Sequence, residues 1–254
     1  MSPENIRRKT NPVHWDSVWQ GTPRMQLPSR LLSANCDVMR LLRPCVKPGD
    51  RFLEIGCAPG KILSWVGAKL GATVAGVDYS PRGVVLTRQL MRAVGVNADI
   101  REEDIFQTTF PPESFDVVYS AGVIEHFEDP RVIVARHLQL TRPGGTTLIT
   151  VPNFSGVHAR VMYRFDPEGY KIHNLEIMSL AGLRSLVSPS PIYHVNANFE
   201  GRFSISRYGI EKRLPRVLYN ALFAAANLIG LLQPMTISCL ASSLLLQIKK
   251  SASA

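Results

Sequence analysis

The chain has 254 residues and a mass of 28.2 kDa, which suffices for one large α/β core and does not require a second domain. Hydrophobic residues make up 45% and charged residues 19%, a globular composition that excludes long disordered stretches. The net charge is +9: residues 1–50 carry 8 basic and 4 acidic side chains, residues 51–155 carry 10 and 11, and residues 156–254 carry 11 and 5. The basic flanks suit nucleic acid, anionic lipid or an acidic substrate, and charge alone does not choose among these partners.

The termini and the cysteines carry little further information. No apolar run of signal-peptide length follows the basic residues at positions 7–9, so we expect a cytoplasmic protein. The cysteines lie far apart and form no CxxC pair, which predicts neither a zinc site nor a disulfide framework. We expect scattered buried thiols at Cys36, Cys45, Cys57 and Cys239.

From residue 51 onward, short apolar runs alternate with helical stretches, which is typical of strands and helices wound into a parallel sheet. A turn is expected at Arg142-Pro143-Gly144-Gly145. The pattern predicts a Rossmann-like, doubly wound α/β fold with a mostly parallel seven-stranded sheet and helices on both faces. Strands are predicted at residues 52–55, 73–77, 98–101, 115–119 and 146–151, and helices at 61–70, 81–94 and 130–140.

Beyond residue 153 the regular alternation stops. Residues 154–174 predict an irregular insertion at the substrate side of the sheet, where ligands bind in such folds. We expect a single domain. Its parts are an N-terminal cap (1–48), a cofactor-binding core (49–153), the insertion (154–174) and a segment that completes the sheet (175–254). Within this last segment, helices are predicted at 175–187 and 214–232, and strands at 192–197 and 242–249.

The segment FLEIGCAPG, residues 52–60, predicts a strand that ends in a glycine-cornered cofactor loop. Gly56 and Gly60 allow the backbone to approach a ligand, and the next helix presents unpaired N–H groups there. The dinucleotide fingerprint needs a glycine where this chain has Ala58, so tight pyrophosphate binding is less well served. Asp78 follows at the end of the second strand, where a carboxylate can accept both hydroxyls of a ribose.

These residues make the chain resemble the class I methyltransferases that depend on S-adenosylmethionine. Their first motif, an acid followed by a glycine-rich turn, is matched by Glu54, Gly56 and Gly60. The resemblance implies that Glu54 orients the loop and the cofactor's amino-acid end, that Asp78 holds the ribose and that Asp104 accepts from the adenine amine. The residues thus predicted to bind the cofactor are Glu54, Gly56, Cys57, Ala58, Gly60, Asp78, Tyr79, Asp104, Ile105, Ser120, Ala121 and Gly122.

The run FDVVYSAGVIEHFEDP, with RPGG beyond it, is most similar to the small-molecule branch that includes quinone and natural-product O-methyltransferases. The resemblance implies methyl transfer to a small molecule at an oxygen atom, with a natural product, quinone, sugar or lipid-linked compound as acceptor. Some quinone O-methyltransferases hold a divalent metal here with two acids and a histidine. Gly122 stands three residues before Glu125, where one of those acids would be, so no metal is predicted.

His126 is the candidate catalytic residue, because it follows the expected position of the methyl donor and imidazole titrates near neutrality. The alternative is a structural histidine bonded to the backbone. Trp15 and Trp19 lie four residues apart on one helical face, either as a lid over the cofactor or as core packing. Together with Tyr163, Tyr170 and His173 they are the candidate substrate contacts.

Residues 217–248 contain no charged side chain, but polar residues, Gly230 and Pro234 interrupt any membrane span. The apolar residues of this segment recur at helical spacing, which predicts a helix with one face packed in the core. Tyr219, Phe223 and Leu231 lie off that face. Those three residues suit contact with a second subunit, a greasy substrate or a membrane surface. The predicted core face consists of Leu214, Val217, Leu218, Ala221, Leu222, Ala225, Ile229 and Leu232.

Two other classes of function stay open. A nucleic-acid methyltransferase would suit the basic flanks, yet an Asn or Asp before Pro-Pro-aromatic is absent after the fourth predicted strand. A non-catalytic protein of the same fold at a membrane or partner surface would not need Glu54, Gly56 and Asp78, which are present. We therefore expect the protein to act on a small molecule, as a monomer or homodimer. Peripheral contact with a membrane stays open, and nucleic acid is disfavoured as a partner.

Overall fold

The computed structural model describes residues 6–21 and 25–252. Within these residues the chain forms seven strands and nine α-helices, with short 3-10 turns at Ile105–Gln107 and Ile124–His126. The strands are β1 (Arg51–Ile55), β2 (Thr73–Asp78), β3 (Ala98–Glu102), β4 (Phe115–Ala121), β5 (Thr141–Pro152), β6 (Tyr193–Glu200) and β7 (Ser243–Lys250). The helices are α1 (Pro12–Val18), α2 (Ser33–Leu42), α3 (Lys61–Trp65, continued by a π-helical turn at Val66–Leu70), α4 (Pro81–Ala93), α5 (Pro130–Leu140), α6 (Gly156–Phe165), α7 (Pro167–Lys171), α8 (Leu180–Arg184) and α9 (Arg216–Leu232).

The described strands form one sheet in the order β3-β2-β1-β4-β5-β7-β6. Strands β1 to β5 are parallel, and β7 runs antiparallel between β5 and β6. Two hydrophobic clusters pack on the sheet, so helices cover both faces. The predicted Rossmann-like, mostly parallel architecture is confirmed. The strand order reverses between β1 and β4, which is where ligands bind in open sheets of this kind.

The predicted turn at residues 142–145 is wrong, because these residues belong to β5. Strand β5 pairs with β4 at Phe115 and again at Val117, and the register shifts between the two. The extra residues of β5 therefore bulge out of the ladder, with Gly144 at φ +77°. A β-bulge with a left-handed glycine has the same local sequence signal as a tight turn.

The prediction that the insertion at residues 154–174 is irregular is also wrong, because it contains α6 and α7. Asp166 ends the first helix and caps the second, where its side chain accepts from the Gly169 N–H and Pro167 occupies the first turn. The helix expected at 175–187 is broken as well. A 3-10 turn comes first, and α8 starts only after Ser179, whose hydroxyl accepts from the Gly182 N–H.

Helix α9 forms as predicted, but the prediction of its buried face is wrong. Ala226 and Gly230 are buried, and Tyr219 and Phe223 pack against the core. The stripe predicted to be core lies on the opposite side and is largely exposed. The period of the apolar residues was visible in the sequence, whereas the direction of the stripe depends on contacts with distant segments. None of the helices within the described residues is long and apolar enough to cross a membrane.

All four cysteines are unpaired thiols. Only Cys57 among them is buried, whereas Cys36 and Cys45 are partly exposed and Cys239 is exposed. The expectation of buried thiols therefore holds for one of the four.

Candidate cofactor and substrate site

A cleft opens at the carboxyl ends of β1, β2 and β4 and contains most of the predicted site. Its largely apolar walls, with a few polar groups among them, are typical of a small-molecule pocket. The predicted residues that line it are Trp15, Trp19, Gly56, Ala58, Asp78, Tyr79, Asp104, Ile105, Ala121, Gly122 and His126. The predicted residues outside its lining are Glu54, Cys57, Gly60, Ser120, Tyr163, Tyr170 and His173.

Gly56 turns the chain out of β1 into the cleft. Its φ of +72° lies in the left-handed region, where side chains with a Cβ are strained. A Cβ at this position would lie 2.6 Å from Cγ2 of Val123, in the loop after β4. A glycine is therefore required both by the backbone conformation and by the close approach of the second loop.

Gly60 lies one step behind the cleft, at the start of α3 with φ +85°. A Cβ here would lie 2.9 Å from Cγ2 of Thr87 on α4. The residue therefore allows the two helices to pack closely and does not contact the cleft. Cys57 is likewise fully covered, and its side chain lies against Gly76 of β2.

Asp78 presents a carboxylate on the wall of the cleft at the end of β2. One oxygen accepts from the Ala58 N–H at 3.0 Å and the other from the Ser80 N–H at 2.9 Å. Burial raises the pKa of Asp78, and these hydrogen bonds act in the opposite direction. The two backbone donors fix the carboxylate and link the glycine loop to the start of α4.

Glu54 is buried beneath the loop. Its carboxyl accepts from the Leu63 N–H, and burial raises its pKa to about 8. The side chain is thus placed to orient the loop and α3. Glu54 does not line the cleft, so a direct contact with the cofactor's amino-acid end stays a prediction.

Arg8 is a site residue that the sequence analysis missed. Its guanidinium donates to both carboxylate oxygens of Asp104, at 2.7 and 2.5 Å. It also lies 5.4–5.6 Å from the ring centroids of Tyr79, Phe106 and Phe127. The carboxylate of Asp104 is therefore already engaged, and a hydrogen bond to adenine there would compete with Arg8. The only signal of Arg8 in the sequence was the basic cluster at the N-terminus.

The N-terminal segment lies across the cleft. The backbone of Arg8 pairs with Phe127, and the Lys9 N–H donates to the His126 carbonyl at 2.8 Å. Asp16 then anchors α1, because its carboxylate accepts from the Ser80 hydroxyl at 2.6 Å. These contacts connect the segment before β1 to the loops after β2 and β4.

Helix α1 places both predicted tryptophans at the cleft. The Trp15 ring lies edge-on to His126, with 5.1 Å between the ring centroids, and its indole N–H donates to Thr10 at 3.1 Å. Trp19 contacts the start of α4 at Gly83, where a Cβ would lie 3.2 Å from the indole. The lid role of the two tryptophans stays a prediction.

His126, which lines the cleft, forms a cluster with buried Glu125 and half-buried His173. Nδ1 of His126 lies 3.1 Å from the Ile172 carbonyl, and Nδ1 of His173 lies 2.6 Å from the Gly169 carbonyl. Because a carbonyl only accepts, these contacts place the proton on Nδ1 and leave a lone pair on Nε2 in each neutral ring. Both carboxyl oxygens of Glu125 are buried without a hydrogen-bond partner.

The electrostatics of this cluster follow from its burial. Burial raises the pKa of Glu125 to about 8. Burial, and next the neighbouring His173, lowers the pKa of His126 to about 3. The ligand atoms of Glu125, His126 and His173 lie within 4.8 Å of one another, the one such group of three found among the described residues. A carboxylate with two imidazole nitrogens is a common donor set for a divalent metal.

The other predicted residues have contacts away from the cleft. Tyr163 on α6 is exposed and packs against Tyr170, with 5.6 Å between the ring centroids. The Ser120 hydroxyl lies 2.9 Å from Nε2 of His137 on α5, inside the core. Ser120 therefore supports β4, and its neighbours Ala121 and Gly122 face the cleft.

Comparison with known proteins identifies the core of this site. Residues 53–149 match the family model described as a methyltransferase domain. The segment contains the glycine corner, Asp78 and the loop after β4. The resemblance to methyltransferases inferred from the sequence is thereby confirmed.

Several relatives support this assignment. Over a matched stretch of 113 residues, the chain is 34% identical to a ubiquinone biosynthesis O-methyltransferase of Cereibacter sphaeroides. This stretch covers 44% of this chain and 45% of the relative. The chain thus matches slightly less than half the length of that relative.

Two solved structures share the fold. One is described as "Conversion of a Disulfide Bond into a Thioacetal Group during Echinomycin Biosynthesis" and has a TM-score of 0.61 at 17% sequence identity. The match covers 96% of this chain and 93% of the chain in that structure. The other is phosphoethanolamine N-methyltransferase 2 of Haemonchus contortus in complex with S-adenosyl-L-methionine. It has a TM-score of 0.57 at 18% sequence identity, and the match covers 85% of this chain and 52% of the chain in that structure.

Proposed function

We propose that this protein is an S-adenosylmethionine-dependent methyltransferase that methylates a small molecule at an oxygen atom. The observation that carries the proposal is the Asp78 carboxylate, which faces the Gly56 corner inside a cleft that also contains His126. The methyltransferase domain at residues 53–149 supports the reaction class. The relatives named ubiquinone biosynthesis O-methyltransferase support an oxygen acceptor.

The residues of the cleft have distinct proposed roles. Asp78 accepts the ribose hydroxyls, and the backbone at Gly56 and Ala58 approaches the rest of the cofactor. The guanidinium of Arg8, beside the rings of Tyr79 and Phe127, forms the wall of the adenine region. When bound, S-adenosylmethionine supplies an electrophilic methyl group on a sulfonium. The chain contributes alignment of the acceptor and exclusion of water, which are the main requirements of an in-line displacement.

His126 serves this reaction better as a positioning group than as a base. With its pKa lowered to about 3, the imidazole is a weak proton acceptor near neutral pH. Its Nε2 lone pair can still accept a hydrogen bond from an acceptor hydroxyl or bind a cation. The ring of Trp15 packs against the imidazole in a T-shaped contact.

Glu125, His126 and His173 fit a divalent cation, although the sequence predicted none because of Gly122. His173, from the turn after α7, stands in for the missing acid. Each imidazole is oriented by a backbone carbonyl at Nδ1, as is usual for metal-binding histidines. The unpartnered carboxyl of Glu125 provides the charge that would offset the cation. A bound cation would lower the pKa of a hydroxyl on the acceptor.

Glutamine at position 125 tests the cation site. We expect Zn²⁺ or Mn²⁺ to raise the melting temperature of the wild-type protein and to leave that of Glu125→Gln unchanged, because the amide carries no charge. Without metal, the variant should be at least as stable as the wild type, since a buried unpartnered carboxyl is replaced by a neutral group. Thermal unfolding with and without each metal measures both effects.

The matched control is Glu128→Gln, which removes an exposed acid from the same loop. It should keep the metal-dependent shift in melting temperature. Equal shifts in the wild type and in Glu125→Gln would contradict the cation site without touching the proposed methyl transfer.

Calorimetry and methyl transfer together test the function itself. We expect micromolar binding of S-adenosylmethionine and of its demethylated product, and transfer of radiolabelled methyl to a phenolic or quinol hydroxyl. Bulk RNA serves as the alternative acceptor, and labelled RNA would favour the nucleic-acid class. Absence of binding heat with both cofactor forms would disprove the proposal. Monomer or homodimer, with peripheral membrane contact, remains our proposal for the assembly.

A further inference from the structure

Helix α9 exposes a continuous apolar surface, which we call the α9 surface. Its large side chains recur at helical spacing along one side of the helix. The two at its ends are the most exposed, Val217 at 83% and Leu232 at 74%. The residues that define the surface are Val217, Leu218, Leu222, Leu228, Ile229 and Leu232. Single exposed apolar residues are ordinary, but a row along an entire helix indicates a contact surface.

The rotation of α9 that exposes this row is fixed by polar and steric contacts on its other side. Asn227 accepts from the Ser33 N–H at 2.8 Å and donates to the Leu31 carbonyl at 2.7 Å. A Cβ at Gly230 would lie 2.5 Å from the Phe203 carbonyl oxygen, so only glycine allows this approach. The helix therefore cannot turn its apolar row inward without losing these contacts.

The apolar area extends beyond the helix. Leu31 and Leu32 are exposed in the loop that Asn227 holds against α9. Met235 and Ile237, which follow the helix, are exposed as well. These two segments add exposed apolar side chains next to the helix, which itself spans about 26 Å at 1.5 Å per residue.

Apart from Glu211, which precedes α9 and lies near Tyr219, the charged side chains around the α9 surface are positive. Residues 212–254 contain no acidic side chain, and neither do residues 17–36, which include the adjacent loop. Arg213 and Arg216 are exposed at the start of α9, and Arg30 is exposed beside Leu31. The surface is thus apolar in its centre and basic at its edge.

We propose that the α9 surface binds an anionic lipid bilayer, with the helix lying along the membrane plane. An aliphatic helix face with arginines at its edge buries its side chains below the headgroups and places the charges among lipid phosphates. A second copy of this chain would bring two surfaces with an excess of basic side chains together. A protein partner would more often meet aromatic anchors, and this row is entirely aliphatic.

The α9 surface is connected to the cleft through a short series of contacts. This connection gives the bilayer contact a role, which rests on the proposed function. Lys212, just before α9, pairs with Asp166, the residue that caps α7. The Gly169 carbonyl of α7 in turn bonds His173, next to His126. The bilayer contact is therefore joined through α7 to the rim of the cleft, where an acceptor with an apolar tail would enter from the membrane.

Vesicle flotation of the full chain tests this contact. We expect the protein to float with vesicles of phosphatidylcholine and phosphatidylserine and not with phosphatidylcholine alone. The double variant Val217→Gln with Leu232→Gln should lower the partition coefficient at least roughly tenfold, because two buried aliphatic side chains are lost. Val85→Gln removes an exposed valine from α4 and should leave flotation unchanged.

A second pair of variants tests the basic edge. Arg213→Gln with Arg216→Gln should weaken flotation and its dependence on salt, whereas the charge-matched variant Lys69→Gln with Arg92→Gln should not. Calorimetry with S-adenosylhomocysteine on every variant should give unchanged heat, which separates this contact from the proposed enzyme activity.

Three results would overturn the proposal. The first is no flotation with anionic vesicles at low salt. The second is flotation that is unaffected by Val217→Gln with Leu232→Gln. The third is a stable wild-type dimer that this double variant converts to a monomer, because a second copy would then cover the surface.

Discussion

Asparagine at position 78 is expected to weaken the binding of S-adenosylmethionine by roughly 100-fold, the equivalent of losing one or two charge-assisted hydrogen bonds. The Asp78 carboxylate accepts from two backbone N–H groups, of Ala58 and Ser80. An asparagine offers one oxygen, so its NH₂ group would face one of these donors. The loop would shift, and the charge that we propose holds the ribose hydroxyls would be lost.

Calorimetric titration with S-adenosylhomocysteine measures this effect without turnover. The control is Asp99→Asn, which removes a half-exposed carboxylate from β3 without facing the cleft. Thermal unfolding of both variants shows whether the fold is retained. Wild-type affinity in a folded Asp78→Asn variant would contradict the role of Asp78 and weaken the proposed cofactor site.

Alanine at position 56 is the second change with a large expected effect. The left-handed φ alone costs about 1–2 kcal/mol in the free energy of unfolding. The new Cβ would in addition lie 2.6 Å from Cγ2 of Val123, a β-branched side chain with little freedom to rotate. We expect a destabilisation of about 3 kcal/mol and loss of measurable cofactor binding, because the two loops that form the cleft are forced apart.

The chain contains a matched control for this substitution. Gly95 has nearly the same φ, +68°, but a Cβ there would meet no atom within 4 Å. Gly95→Ala therefore measures the backbone strain alone, and denaturant unfolding of the two variants isolates the cost of crowding. Adding Val123→Ala to Gly56→Ala should recover that part of the stability. Equal losses for Gly56→Ala and Gly95→Ala would show that the close approach of the loops is unimportant.

The core of the fold was predictable because its signals are local. A parallel strand buried on both faces has a continuous apolar run, as in residues 52–55, and a helix shows its cap, as at Ser80 and Pro81. The same holds for the glycine corner, because glycine is the residue that most readily adopts the left-handed φ found at Gly56. Asp78 was predictable because the end of the next strand necessarily lies beside that corner.

Beyond β5 the local signals were ambiguous. The residues at 142–145 resemble a turn but bulge within β5, because the partner strand β4 is the element that decides between the two. The Tyr-, His- and Gly-rich sequence at 154–174 lacked a clear apolar period, yet Asp166 and Pro167 were sufficient to start a helix.

The missed site residues share a physical cause. Arg8 contacts Asp104 from 96 positions away, so no spacing rule connects them. His173 reaches His126 only because the segment after α7 packs against the loop after β4, where the Ile172 carbonyl meets Nδ1 of His126. Sequence spacing can test whether an acid precedes Glu125 by three positions, but it cannot find a ligand that another element supplies.

The sequence by itself determined the alternation of strands and helices, the glycine corner with Asp78, and the apolar period of α9. These features follow from backbone stereochemistry and from side-chain period, which act over a few residues. The tertiary structure alone decided that Arg8 engages Asp104, that His173 joins Glu125 and His126, and that the apolar row of α9 faces outward. Each of those features depends on contacts between distant segments, such as the hydrogen bond between Asn227 and Ser33. Patterns that act over a few residues do not reveal such contacts.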